Sequence, residues 1–371
     1  MASEAAVPAR PSLVLHFDIN KTIIICDPVK GVGCDDMLNA LLSEACWGRW
    51  DGGDAELPST PEGKMEKAAT WKLEVGPTTE AQPGLVTYAE LLEDVLKMEK
   101  KQLQALKNVF TEEGNPGATI RSTYEQLQAG LRLPPGVSLP GAPAAVGDGR
   151  NFLLPSFLDL VLHLHMEKRD FRIIFRTFGI DIMDVIKEYN LFCSGQHPCF
   201  PDLPADMASR SVPVPAGTGE FYRDDAGFHL AMSSSYKGEE LVQMHHGIPE
   251  CASALRAKLF ESPQTLSMAL RDCFPHWRKH KEADDRGKPL FVEPPTAKDG
   301  VHHICFDDNI ERDRAHIVDA RDAVSGDPLA FADTKGIYLI KAEPMLAIQD
   351  RRYFINAVAD AEEKRASLCP C

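Results

Sequence analysis

The sequence predicts an α/β protein built around a parallel sheet. Two observations carry that expectation. Three apolar runs, at residues 13–17, 171–176 and 304–306, each lead into a polar residue, and segments of helical spacing separate and follow them. Parallel strands require long crossovers, and helices usually make them.

Residues 13–17 (LVLHF) show no polar alternation, so both faces of this strand are expected to be buried. Residues 23–26 (IIIC) are expected to pair as a second strand, forming a hairpin flap closed by the turn formers of DPVKG. Helical spacing starts at Asp35, with Met37, Leu38, Leu41, Leu42 and Ala45 on one face and Asp35 or Asp36 as its cap. Residues 51–84 are rich in turn formers and read as loop. Thr87 and Glu90 have capping-box spacing, and the stripe Leu91, Leu92, Val95, Met98, Leu103, Leu106 and Phe110 predicts one long helix.

Another helix is expected from Ser156 or Asp159 to Glu167, then the strand at 171–177, then a helix over 181–189. Residues 193–235 return to Pro, Gly and Ser, and 249–281 look helical, with Ser262-Pro263 as cap and first turn. Further strands are expected at 316–320 and 336–342, and a closing helix over 344–364. The resulting division is a core of residues 12–31, 151–192 and 286–371, a mainly helical insertion over 32–150 and a second insertion over 193–285.

The chain of 371 residues carries a formal charge of −15, which argues against a nucleic-acid partner because phosphate neutralisation needs clustered Lys and Arg. No apolar run is long enough for a membrane helix, and MASEAAVPARPS has neither a basic start nor an apolar core, so a cytoplasmic protein is expected. The ten cysteines are scattered and read as reduced, with Cys369-Pro370-Cys371 as an exposed tail. His245-His246 and His302-His303 point to opposite faces if on strands, so each pair offers one ligand to any site, and no metal site is expected there.

Strands that end in polar residues mark the carboxyl edge of a parallel sheet, where open α/β sheets bind ligands. Here the polar residues are Asp18-x-Asn20-x-Thr22, then Thr177, then Asp307-Asp308. In kind and order they resemble the haloacid dehalogenase (HAD) superfamily of phosphohydrolases and relatives. FDINKT stands where that family has D-x-D-x-T, IIFRT where it has a strand ending in Ser or Thr, and HICFDD where it has an acidic strand end.

The resemblance implies a Rossmann-like sheet with helices on both faces and largely helical cap-type insertions. It implies Asp18 as the nucleophile that forms an aspartyl phosphate, and Thr22, Thr177 and a lysine as substrate-binding groups. The lysine is Lys288 in GKPLFVEP, with Lys237 in SSSYKGEE as the competing choice. It also implies Mg²⁺ held by Asp18, the backbone carbonyl of Asn20 and Asp307 or Asp308, with Asp313 in reach. The expected ligand is a small phosphorylated molecule.

Asn20 departs from the pattern. The family's usual aspartate there protonates the leaving group and then activates water, whereas an amide does neither, and such help is worth on the order of 10²- to 10⁴-fold in rate. Two functions therefore stand side by side: a Mg²⁺-dependent phosphohydrolase, or a catalytically weak or inactive HAD-fold binding protein.

Overall fold

The computed structural model describes residues 10–51, 57–147, 149–236, 239–261, 265–293 and 300–368. Lys237, Ser262-Pro263 and Cys369-Pro370-Cys371 lie outside the described residues. Two compact units divide the chain: residues 1–24, 155–342 and 350–371 form one, and residues 25–154 with 343–349 form the other.

Strand β1 (Leu13–Asp18) opens the first unit and is buried along its whole length. The expected pairing strand at 23–26 does not form. The carbonyl of Ile19 instead accepts from the amides of Thr22, Ile23 and Ile24, winding the chain into a tight turn. Ile19, Ile23 and Ile24 are the apolar residues that this turn buries completely.

The second unit begins with α1 (Cys34–Ala45), which buries Met37, Leu38, Leu41 and Leu42. Its N-cap is Gly33, not Asp35 or Asp36. Asp35 instead accepts hydrogen bonds from Tyr124, Gln128 and Arg150. The 51–84 stretch, expected as loop, contains α2 (Pro61–Ala68), capped by Thr60 accepting from the Gly63 amide. A three-stranded antiparallel sheet joins β2 (Trp47–Arg49), β3 (Lys72–Val75) and β4 (Val86–Thr87) in the order β3-β2-β4.

The Thr87/Glu90 capping box is present and starts α3 (Tyr88–Glu90). The long helix expected after it is broken. A π-helical turn at Leu91–Val95 follows, Lys97 adopts a left-handed φ of 48°, and α4 (Lys100–Asn108) starts afresh. Side-chain periodicity continues across such a break, so sequence spacing cannot reveal it. Trp71, Tyr88 and Phe110 form the aromatic centre of this unit, and α5 (Arg121–Gly130) packs against α1.

The chain re-enters the first unit at α6 (Pro155–Met166) and continues through β5 (Phe171–Thr177) and α7 (Ile182–Cys193). Residues 193–285 then supply β6 (Thr218–Asp224), β7 (Gly227–Tyr236), β8 (Glu239–His246), α8 (Ile248–Phe260), β9 (Ser267–Arg271) and α9 (Phe274–Lys279). These four strands extend the same sheet as β1 and β5. β9 falls inside the 249–281 stretch expected to be helical. Its SMALR sequence favours helix, and burial between β5 and β6 overrides that preference.

Next come β10 (Lys288–Val292), β11 (His302–Asp307), β12 (Val318–Asp322), a short α10 (Phe331–Thr334) and β13 (Leu339–Lys341). Among the described residues β10 and β12 pair with each other in a two-stranded sheet, so the strand expected at 316–320 lies outside the central sheet. The closing helix is interrupted. Its first piece, α11 (Pro344–Gln349), belongs to the second unit, and α12 (Tyr353–Ser367) returns to the first.

The central sheet has eight strands in the order β13-β11-β1-β5-β9-β6-β7-β8. All pairs from β13 to β6 are parallel, and β7 and β8 add antiparallel. The protein is therefore α/β with a mostly parallel sheet flanked by helices. Period-two alternation sends Val14 and Phe17 to opposite faces. Val14 joins Ile174, Met268 and the α8 residues Leu255 and Leu259. Phe17 stacks on Phe306 at 4.8 Å and meets the edges of Phe157 in α6 and Phe354 in α12. Among the described residues no helix is long and apolar enough to cross a membrane.

Phe17 is fully buried between two strands and two helices, so Phe17→Ala should lower stability by about 3–5 kcal/mol. The check is a urea titration in which the midpoint falls while the slope is unchanged.

Candidate functional site

The parallel register aligns the ends of β11, β1 and β5. Phe17 lies opposite both Phe306 and Phe175, which leaves Asp18, Asp307 and Thr177 at one edge of three neighbouring strands. Asp18 is 7% exposed and Asp307 is fully buried. Burial of two carboxylates is costly without a cation, and Lys288 supplies one. Its Nζ, on a side chain 2% exposed, lies 2.5 Å from Asp18 Oδ1 and 2.7 Å from Asp307 Oδ2.

The position of Lys288 follows from local packing. Gly287, just before it, runs so close to the residue that precedes β12 that a Cβ there would sit 2.0 Å from the Ile317 carbonyl oxygen. Just after it, the Pro289 carbonyl accepts from both terminal nitrogens of Arg176, at 3.0 and 3.1 Å. Arg176 is itself buried and pairs bidentately with Asp272, at 2.9 and 2.5 Å. The Asp272 amide returns to the Thr177 carbonyl at 2.7 Å. One buried guanidinium thereby locks β5, the β9–α9 junction and the start of β10.

Around the lysine, Thr22 Oγ1 donates weakly to Asp18 Oδ2 at 3.4 Å and accepts from the Asp308 amide at 3.2 Å. Asp307 Oδ1 accepts from the Asn309 amide at 3.0 Å. Asp18, Asp307 and Asp308 each bring a carboxylate oxygen within 4.8 Å of the others. Asp313 is exposed and is not in this group. Burial pushes the Asp18 carboxyl well above its ordinary range; Lys288 opposes that, while Asp307 and Asp308 add to it. Burial pulls on Lys288 in the opposite sense, but attraction to Asp18 and Asp307 dominates and holds it protonated.

Asp18 and Asp307 share the ammonium of Lys288, and Asp308 brings a third carboxylate oxygen beside theirs. Clustered hard oxygen donors are what Mg²⁺ takes, usually through one or two carboxylates plus water and substrate oxygens. The donor set fits that ion, with Asp18, Asp307 and Asp308 as the residues to hold it.

Thr177 and Asn20 are engaged elsewhere. Thr177 Oγ1 donates to Asp181 Oδ1 at 3.1 Å and accepts from the Gly179 amide at 2.8 Å. Asn20 Nδ2 donates to Asp181 Oδ2 at 2.5 Å. Asp181, 3% exposed at the N-cap of α7, makes no capping bond with its side chain. It joins the β1 and β5 loops, and the next residue after Thr177, Phe178, sets its ring 5.1 Å from Lys288 Nζ. Sequence reasoning missed Asp181, reading it only as a helix start; its place four residues after Thr177, one helical turn on, was the available signal.

The His302-His303 pair is buried structure on β11, whereas His245-His246 ends β8. His302 Nε2 lies 2.8 Å from the Ile337 carbonyl and His303 Nδ1 lies 3.1 Å from His16 Nε2. Burial, His303 and Arg176 together hold His16 neutral by lowering its pKa well below the ordinary value.

Lys288→Met should destabilise the protein by about 3–5 kcal/mol at pH 7, because it strands two buried carboxylates. Without the ammonium the Asp18 carboxyl, already raised by burial, rises further above its unfolded value. The folded form then binds protons more tightly, so the deficit should shrink as pH falls from 7 toward 4. Urea midpoints of the two proteins across that range check the sign. Comparisons with protein-family models, curated proteins and solved structures return no match, so the geometry of these residues carries the functional reading.

Proposed function

We propose that the protein is a HAD-like, Mg²⁺-dependent phosphohydrolase that acts on a small phosphorylated substrate through an aspartyl-phosphate intermediate on Asp18. The single observation that carries this reading is the buried contact of Lys288 with both Asp18 and Asp307 at adjacent ends of parallel strands.

Asp18 is the nucleophile, since a carboxylate that attacks phosphorus in line divides one hard hydrolysis into two easier steps. Lys288 holds Asp18 in place and neutralises charge on the phosphoryl oxygens. Thr22 steadies Asp18 Oδ2 and links it to the Asp308 amide. Thr177 must turn its one hydroxyl proton from Asp181 to a phosphoryl oxygen to bind substrate. Mg²⁺, held by Asp18, Asp307 and Asp308 with the Asn20 carbonyl as a further ligand, supplies charge neutralisation at the transferring group. Residues 25–154 interrupt the chain between β1 and β5, and we assign them the cap role of admitting substrate and excluding water. Scattered free cysteines among the described residues fit a cytoplasmic setting.

Asn20 favours a second reading, a HAD-fold pocket that binds a phosphorylated ligand with little or no turnover. A panel of phosphate esters and acyl phosphates, assayed with Mg²⁺, separates the two. The phosphohydrolase reading expects turnover by the wild type and a loss of at least about 10²-fold in Asp18→Asn. Absence of wild-type turnover with a gain in Asn20→Asp selects the binding protein. Activity that survives Asp18→Asn sinks both.

Mg²⁺ alone should raise the thermal midpoint, by an amount equivalent to about 2.7 kcal/mol at a hundredfold excess over its Kd. Calorimetry should show that shift abolished in Asp308→Asn, whose partly exposed side chain leaves the Lys288 contacts intact.

A further inference from the structure

We infer that Asp181 is a positioning residue that fixes which atom of the Asn20 amide faces the reaction centre, making Asn20 an acceptor that orients the attacking water. This rests on the reading of Asp18 as nucleophile and explains how the second half-reaction proceeds without a carboxylate at position 20.

An amide presents two N–H donors at one end and an acceptor at the other, and a carboxylate only accepts. With Nδ2 held 2.5 Å from Asp181 Oδ2, the Asn20 amide has one stable orientation, because the reverse would set two acceptors against each other. Asp181 is braced in turn. Its second oxygen takes the Thr177 hydroxyl proton at 3.1 Å, and a Cβ at Gly179 would come within 2.9 Å of that same oxygen, so only glycine leaves the carboxylate its place.

The consequence lies at the other end of the amide. Asn20 Oδ1 is buried and has no hydrogen-bond partner among the described residues. A buried acceptor without a donor is costly, and this one belongs to the loop that carries Asp18. The donor that suits it is the water of the dephosphorylation step.

In that step the water oxygen bonds to phosphorus while the bond from phosphorus to the Asp18 oxygen breaks, and its electron pair returns to the Asp18 carboxylate. Both water protons leave on the product as dihydrogen phosphate, so no side chain takes one. Asn20 Oδ1 accepts a hydrogen bond from the water and aims it in line, the part a glutamine plays in some nucleotide hydrolases.

The full chain, incubated with acetyl phosphate and Mg²⁺ and then freed of donor, allows formation and breakdown of phospho-Asp18 to be followed separately by intact mass. In Asp181→Asn, the new amide can donate to Asn20 Oδ1 and occupy the acceptor. Breakdown should slow about tenfold relative to formation, the effect of one misdirected hydrogen bond. Asn20→Ala, which removes the acceptor and leaves Asp181 in place, should slow breakdown alike. The exchanged pair Asn20→Asp/Asp181→Asn rebuilds an amide–carboxylate contact with an acceptor facing the water, and should restore breakdown.

Equal slowing of both steps in Asp181→Asn, or an exchanged pair that stays slow, would reduce Asp181 to a structural prop and overturn the inference alone. A wild type that takes up no phosphate, with Asp18→Asn indistinguishable from it, would overturn the aspartyl-phosphate reading and this inference together.

Discussion

The site depends on one ammonium shared by two carboxylates. Lys288 Nζ touches Asp18 and Asp307 at 2.5 and 2.7 Å, and all three groups are almost wholly withdrawn from water. Such a cluster is tolerable only if its geometry is held by other elements, because the desolvation of each ion must be offset by close attraction. The parallel sheet meets half of that demand: β1 and β11 are neighbours in register, so their terminal aspartates arrive side by side. The lysine arrives from β10, which is not in that sheet at all.

A second buried ion pair holds the first in place. Arg176 and Asp272 lie beneath the site, with Arg176 reaching the Pro289 carbonyl and, at 3.3 Å, His16 Nδ1. Neutral His16 can accept there, whereas a charged ring would repel the guanidinium. Two ionic clusters therefore stand in series, one structural and one facing the chemistry, joined by the single peptide between Lys288 and Pro289. Replacement of Arg176 and Asp272 by apolar residues would keep the fold's burial but free the lysine from its register.

How much of this was legible in the sequence depended on the range of the interaction. Burial along β1, β5 and β11 was visible as mainly apolar runs, and the polar residues at their ends marked the edge that carries Asp18, Thr177 and Asp307. The Thr87–Glu90 cap was visible because it is local. The π-helical break after Glu90 and the tight turn at Ile19–Ile24 were not, since both leave the apolar pattern intact. β9 was hidden because residues of helical preference become a strand only when neighbours demand it. Asp181 and Arg176 were missed for a different reason. The bonds that place them across strands lie far away in sequence, Asn20 at a separation of 161 residues and Asp272 at 96, and only the four-residue step from Thr177 to Asp181 was local.

The charge of the site bears on the order of events. A protein with formal charge −15 that sets three carboxylates, Asp18, Asp307 and Asp308, close together at one sheet edge offers negative groups to a phosphate. Like charges at a few ångströms in a low-dielectric pocket repel strongly, so under the phosphohydrolase reading the anion cannot enter first. Under that reading a divalent cation held by Asp18, Asp307 and Asp308 would offset this repulsion and would lower the Asp18 pKa that burial and the neighbouring carboxylates raise. The same three carboxylates would then serve both the ionisation of Asp18 and the affinity for an anionic substrate.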